Sequence, residues 1–254
     1  NVLCLQSFLP IPNVYFGFNA VAWSISVEAF FYFCFPLFHL LKTRRLLLTA
    51  LFYTFLIVLF SYSLSFLDLA SFSDENLNVP VWQGLVYINP LARIPDFLMG
   101  VLLARFFVSK SFHDVSQLYL KTLHRYGILP DVTELLVFVA VVLLGFRSPV
   151  FPMPFVFPLP LAAQLLVLQI VSGLSFCVLI LISANSKGLL GRLLKWNPLI
   201  VLGEISFGLY LFHQPIMIRS AQLGGFTLGS IQFLPPLFFS VLLWSLLVSF
   251  ASFF

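Results

Sequence analysis

Charge is the scarcest commodity in this chain. Only 9% of its 254 residues are Asp, Glu, Lys or Arg, against about a quarter in ordinary soluble domains. That shortage stands beside 61% hydrophobic residues, 32 phenylalanines and a mean hydropathy of +1.06. A soluble core cannot hide so much apolar surface, whereas a bilayer can. Segments of alternating polarity are also missing, which excludes a transmembrane β-barrel. Cysteine is rare: Cys4, Cys34 and Cys177 stand far apart, so there is neither a disulfide framework nor a metal-ligand spacing, and no metal set is assigned. The net charge of +4 forms no basic tail and does not alternate with aromatics, which excludes a nucleic-acid partner. HExxH, P-loop, GxGxxG and Ser-His-Asp patterns are absent. So are an initial Met and a signal peptide. The chain stops at Ser252-Phe253-Phe254 inside an apolar run, so both ends read as cut.

What is present is a series of unbroken apolar stretches of about 15 to 22 residues, the length of helix that crosses a hydrocarbon core. The expected fold is therefore all-α, a polytopic transmembrane bundle, with spans at 22–41, 46–67, 94–108, 132–146, 161–183, 199–217 and 233–254. The two near 94–108 and 132–146 are short and predict tilt or local thinning. Residues 149–160 (PVFPMPFVFPLP) cannot be regular helix, because each Pro removes a donor and crowds the preceding turn.

Basic residues set the orientation. Lys42, Arg44 and Arg45 mark the first connector, Lys110, Lys121 and Arg125 the third, and Lys187, Arg192 and Lys195 the fifth. The second, fourth and sixth carry a single Arg each: Arg93, Arg147 and Arg219. Odd connectors are therefore cytoplasmic, and residue 1 is external. An external start without a signal peptide fits a chain lacking an odd number of earlier spans.

Polar groups inside apolar helices are costly and need a partner or a purpose. Ser24, Glu28 and Tyr32 fall at i, i+4, i+8 on one face of the first span. Trp23 suits an interface anchor, and Glu28 lies about 9 Å below the outer end. Arg93 and Asp96, at i, i+3, open the third span and can pair with each other. In the sixth span Ser206, Tyr210 and His213 share a face, with His213 near the outer end. Each of these also fits a structural role, as a helix-pairing hydrogen bond or an interface anchor. Glu134 and Glu204 lie near inner ends and can simply face water.

Three segments together resemble a known family. Trp23-Ser-Ile-Ser-Val-Glu28 with Phe31-Tyr32 and Pro36 is similar to its W-S-[LI]-S/A-V-E…F-Y…P signature. Arg93-Ile-Pro-Asp-Phe97-Leu-Met-Gly100 resembles its R-x-x-[ED]-F-x-x-G segment. Gly203-Glu-Ile-Ser206-Phe-Gly-Leu-Tyr210-Leu-Phe-His213-Gln-Pro215 resembles its G-x-[IL]-S-[YF]-x-x-Y-L-x-H-x-P segment. The family is the membrane-bound acyltransferase 3 family, which includes bacterial O-antigen and exopolysaccharide O-acetyltransferases. The resemblance implies an integral protein of the bacterial inner membrane. It implies transfer of an acyl group, usually acetyl, from acetyl-CoA or another acyl-CoA co-substrate to a hydroxyl of an envelope glycan or glycolipid, with no bound cofactor. It also implies a single transmembrane domain over 1–254 that holds seven of ten spans and lacks about three N-terminal ones. The family's usual catalytic histidine lies in those spans, so this polypeptide is expected to be inactive alone.

Acyl transfer to an alcohol needs a base and oxyanion stabilisation. Glu28, Arg93 and His213 are the expected catalytic residues, gathered at the outer ends of their helices. Trp23, Ser24, Asp96, Ser206 and Tyr210 are the expected substrate-binding residues. Lys42, Arg44, Arg45 and Arg105 can attract CoA phosphates or simply obey the positive-inside rule. The rival reading is a transporter or channel for a polar solute, with the same charges lining a pathway. It predicts inverted repeats, and the sequence has no evident internal repeat.

Overall fold

The computed structural model describes residues 3–17, 19–67, 69–70, 77–125, 129–146, 160–185 and 189–224. Within these the protein is all-α, with no strand and one isolated bridge between Ala70 and Val81. The helices are α1 (Pro12–Tyr15), α2 (Trp23–His39), α3 (Thr43–Ser63), α4 (Ile94–Phe107), α5 (Lys110–Arg125), α6 (Leu129–Phe146), α7 (Leu161–Asn185), α8 (Leu189–Leu194) and α9 (Asn197–Gly224). Six of the seven expected apolar segments are thus helices. The seventh, at 233–254, lies outside the described residues, as does all of the proline-rich stretch except Pro160. Among the described residues two helices are long and apolar enough to cross a membrane: Thr43–Phe66, with mean hydropathy 2.0, and Ala162–Ala184, with 2.7.

One stretch differs from its expected role. Residues 109–131 were expected to be a polar connector, yet 110–125 form a helix. Its apolar residues recur every three to four positions and are diluted by charge. A search for long apolar runs passes over such a pattern, although its helical period is plain. Ser109 caps the start: its hydroxyl accepts the Phe112 N–H at 3.2 Å and donates to the Phe106 carbonyl at 2.6 Å.

The chain divides into two compact units, one formed by Asn1–Tyr15 with Ser24–Leu193, the other by Phe16–Trp23 with Leu194–Phe254. In the first, α3, α4 and α7 pack on one another and α6 lies along α7. Leu46 and Ala50 of α3 meet Ile94, Leu98 and Val101 of α4, with Phe30, Phe31 and Phe38 of α2 against them. Phe97 is stacked on Phe31 at 4.7 Å between ring centroids and also touches Phe35 and Phe38.

α2 ends soon after Pro36. Its last carbonyls, which no helical donor can reach, are met by Arg105 of α4. The guanidinium donates to the carbonyls of Leu41 (2.6 Å), His39 (2.7 Å) and Phe38 (3.3 Å). Residues 3–15 are laid over the start of α2 and the loop that leads to α4. Buried Ser26 donates to the Cys4 carbonyl at 2.6 Å, and the Val81 N–H donates to the Pro10 carbonyl at 2.8 Å. Gly84 lies so close to Pro10 that a Cβ there would sit 2.8 Å from the Pro10 Cα.

In the second unit, α9 carries Pro215 in its interior. The segment 19–23 is tied to α9 by three hydrogen bonds: Asn19 Nδ2 to the Leu211 carbonyl (3.0 Å), the Val21 N–H to Gln214 Oε1 (3.1 Å), and Tyr210 Oη to the Val21 carbonyl (3.2 Å).

Candidate functional site

The polar residues singled out in the sequence fall into separate settings. The first is the start of α4. A π-helical turn, Gly84–Ile88, and a bend at Asn89 precede it. Asn89 Oδ1 accepts the Leu91 N–H at 2.9 Å, and Tyr53 of α3 donates to the Leu91 carbonyl at 3.0 Å. This holds Arg93 at the mouth of the helix. Arg93 Nε donates to the Tyr87 carbonyl at 2.9 Å, and its guanidinium carbon lies 4.3 Å above the Tyr87 ring. Arg93 NH1 pairs with Asp96 Oδ2 at 3.0 Å, as the i, i+3 spacing anticipated. The carboxylate also profits from its place in the first turn, where the helix dipole favours negative charge.

Asp96 has a second partner, one that sequence reasoning did not single out. Gln169 of α7 donates to the same Oδ2 at 2.7 Å. An amide inside an apolar run was the signal available, though Gln164 carries another in the same run. Asp96 Oδ1 and Gln169 Oε1 are both buried and have no hydrogen-bond donor among the described residues. Gly173 of α7 faces this site: a Cβ there would lie 3.5 Å from Asp96 Oδ1 and 2.6 Å from the Met99 methyl.

The second setting is the C-terminal half of α9. His213 Nδ1 lies 2.6 Å from the Tyr210 carbonyl and 3.3 Å from that of Leu209. A carbonyl can only accept, so Nδ1 carries a proton, and in the neutral ring Nε2 then offers its lone pair. No partner meets Nε2 among the described residues. Tyr210 lies beside the imidazole, with centroids 6.0 Å apart, and its hydroxyl holds the Val21 carbonyl. Ser206 is exposed and donates back to the Gly203 carbonyl at 2.6 Å. Tyr210 and Ser206 therefore have backbone partners, and His213 is the residue of this face that keeps a basic nitrogen to offer.

Glu28 stands alone. The helix brings Ser24, Glu28 and Tyr32 to one face of α2, as the spacing required, but Glu28 and Tyr32 are exposed there. Among the described residues Glu28 makes no hydrogen bond or ion pair. Trp23 and Ser24, the first residues of α2, are half-buried. Glu134, read as facing water, is instead 1% exposed, and its carboxylate accepts the Gly191 N–H at 3.4 Å. Among the described residues no three His, Cys, Asp or Glu side chains come together as a metal set. An apolar cavity of about 140 Å³ lies between Leu64, Leu67, Leu69, Trp82, Pro160 and Ala162.

Among the described residues the chain is therefore an all-α protein in which an Arg93–Asp96 pair opens one apolar helix and His213 lies on another. The family model described as Acyltransferase domain matches residues 1–253. The chain belongs to that family, the acyltransferase 3 family. No curated protein and no solved structure matches it.

Proposed function

We propose that this protein moves an acyl group, acetyl in the simplest case, from acyl-CoA to a hydroxyl of an envelope sugar or glycolipid. It works as a polytopic protein of the bacterial inner membrane. Family membership supplies the reaction class, and the geometry of His213 is the observation that carries the rest. With Nδ1 committed to the Tyr210 carbonyl, Nε2 is the atom that takes the acceptor's hydroxyl proton. The oxygen then attacks the thioester carbonyl. The tetrahedral oxyanion collapses, the C–S bond breaks, and the imidazolium returns its proton to the CoA thiolate. Arg93, oriented by Tyr87 and Asp96, is assigned to the negative charge of substrate or intermediate. Glu28, exposed and without a partner among the described residues, is assigned to orienting a base or a substrate hydroxyl.

Among the basic residues, Lys42, Arg44 and Arg45 are exposed and suit CoA phosphates. Arg105 does not, because its donors are spent on the end of α2. The reading keeps seven spans, with the basic connectors cytoplasmic. Leu77→Cys and Lys110→Cys should then label from opposite faces of the membrane, and labelling from one face would refute the topology. The reaction is tested with radiolabelled acetyl-CoA in membranes carrying the full-length protein, following label into the glycan and lipid fractions. His213→Gln should abolish transfer while leaving the protein folded. Undiminished transfer by that variant would remove His213 from the chemistry.

A further inference from the structure

We propose that α5 is a membrane-surface strap, an amphipathic helix whose partner is the anionic phospholipid face of the cytoplasmic leaflet. The proposal rests on the reading of the chain as a membrane protein and is independent of the reaction.

The observations begin where α4 ends. Only Val108 and Ser109 separate the two helices, and the Ser109 cap fixes the start of the second one there. Phe112 folds back onto that end. It is 9% exposed, with ring centroids 5.5 Å from Phe106 and 4.8 Å from Phe107. One turn on, the cover is one-sided: Ser116 is 8% exposed, but Val115, the next apolar position, is 56% exposed. The register continues the same face through positions 119 and 123, which are Tyr and Leu. The opposite face takes positions 110, 114, 117, 121 and 125, which are Lys, Asp, Gln, Lys and Arg. By sequence these positions supply three cations and one carboxylate. Among the described residues α5 packs on α4.

These features choose between occupants. A helix that buried its apolar face in this chain would not leave Val115 uncovered. A polar hairpin in water would not repeat apolar residues at helical period for three turns. A helix at the bilayer surface needs both, with apolar residues entering the acyl region and cations level with the headgroup phosphates. The sign of the charge matches the anionic inner leaflet, and the same residues place this connector in the cytoplasm. The exposed apolar end of α4, Val108 at 82%, brings the start of α5 to the apolar–water boundary.

The test uses the chain in nanodiscs with Cys4, Cys34 and Cys177 replaced by Ala and one nitroxide at a time, on Val115→Cys, Gln117→Cys or Leu174→Cys. Collision with oxygen reports lipid, and collision with a water-soluble nickel complex reports water. In phosphatidylglycerol-containing discs the label at 115 should meet oxygen and be shielded from nickel, and the label at 117 should show the reverse. In pure phosphatidylcholine, or after Lys121→Glu with Arg125→Glu, the label at 115 should become open to nickel. Nickel access at 115 in anionic discs would overturn the proposal. So would shielding from both reagents, which would mean a protein cover, and so would indifference to lipid charge. The label at 174, on α7, is the control: if it too meets nickel, the membrane reading fails and takes the strap with it.

Discussion

The side-chain amide of Asn19 donates to the main-chain carbonyl of Leu211, and that is the carbonyl Pro215 leaves without a helical donor. In an α-helix residue 211 accepts from the N–H of residue 215, which proline lacks. Asn19 stands in for the missing hydrogen bond, and Gln214 and Tyr210 fasten the same strand of chain on either side. Asn19 and the carbonyl it serves lie 192 positions apart in sequence.

Asn19→Ala should therefore lower the thermal stability of the detergent-solubilised protein by about 1–3 kcal/mol, the usual cost of an orphaned carbonyl. Pro215→Ala restores the amide, so in that background Asn19→Ala should cost clearly less. Strictly additive losses in the double-mutant cycle would show that the bond does not compensate the proline.

Arg105→Ala should destabilise the protein by about 1–3 kcal/mol, because the carbonyls of His39 and Leu41 lose their donor while that of Phe38 keeps only the Leu41 N–H. Lys in its place should recover only part of the loss, since an ammonium cannot spread over three acceptors as a guanidinium fork does. If Arg105 instead served to attract anions, Arg105→Lys would leave stability intact and any defect would appear in the KM for acyl-CoA.

Two glycines should behave oppositely. At Gly84 a new methyl group meets Pro10 backbone, which cannot step aside. Gly84→Ala should cost about 1–3 kcal/mol and speed hydrogen exchange in residues 5–10. At Gly173 the nearest atom is the Met99 methyl, the free end of a flexible chain. Gly173→Ala should be the milder variant in the same unfolding experiment.

Gln169 and Asp96 can be read by the order of two substitutions. Gln169→Leu removes one hydrogen bond to Asp96 but also a buried carbonyl that has no donor, so the losses partly offset. Gln169→Glu sets a second carboxylate against the first. Unfolding temperatures should fall in the order native, Leu, Glu. A Glu variant as stable as the Leu variant would show that Asp96 is not ionised beside Gln169.

Tyr15 is fully buried, and burial raises the pKa of its phenol above the usual 10. The folded state thus holds its proton more tightly than the unfolded one. Stability from this group is complete below about pH 10 and is lost as pH rises above it. Alkaline titration of the unfolding temperature should fall more gently for Tyr15→Phe than for the native chain. Parallel curves would mean that Tyr15 plays no part.

The sequence by itself determined the helical class and most of the helices. The segments expected at 22–41, 46–67, 94–108, 132–146, 161–183 and 199–217 reappear within a few residues as α2, α3, α4, α6, α7 and α9. Length and apolarity are properties of a run, and a run is visible locally. The Arg93–Asp96 pair was legible for the same reason, being separated by one helical turn, and so was the shared face of Ser24, Glu28 and Tyr32. What only the tertiary structure decided is which polar atoms are already satisfied. Arg105 looks like any positive-inside residue until α2 ends beside it. Gln169 becomes a partner of Asp96 because α7 packs on α4, and Asn19 becomes a helix donor because of a proline far along the chain. His213 shows both kinds of information. Its position was read from the motif, but the fold chose which nitrogen keeps a lone pair, because the proton follows the carbonyl that lies within reach.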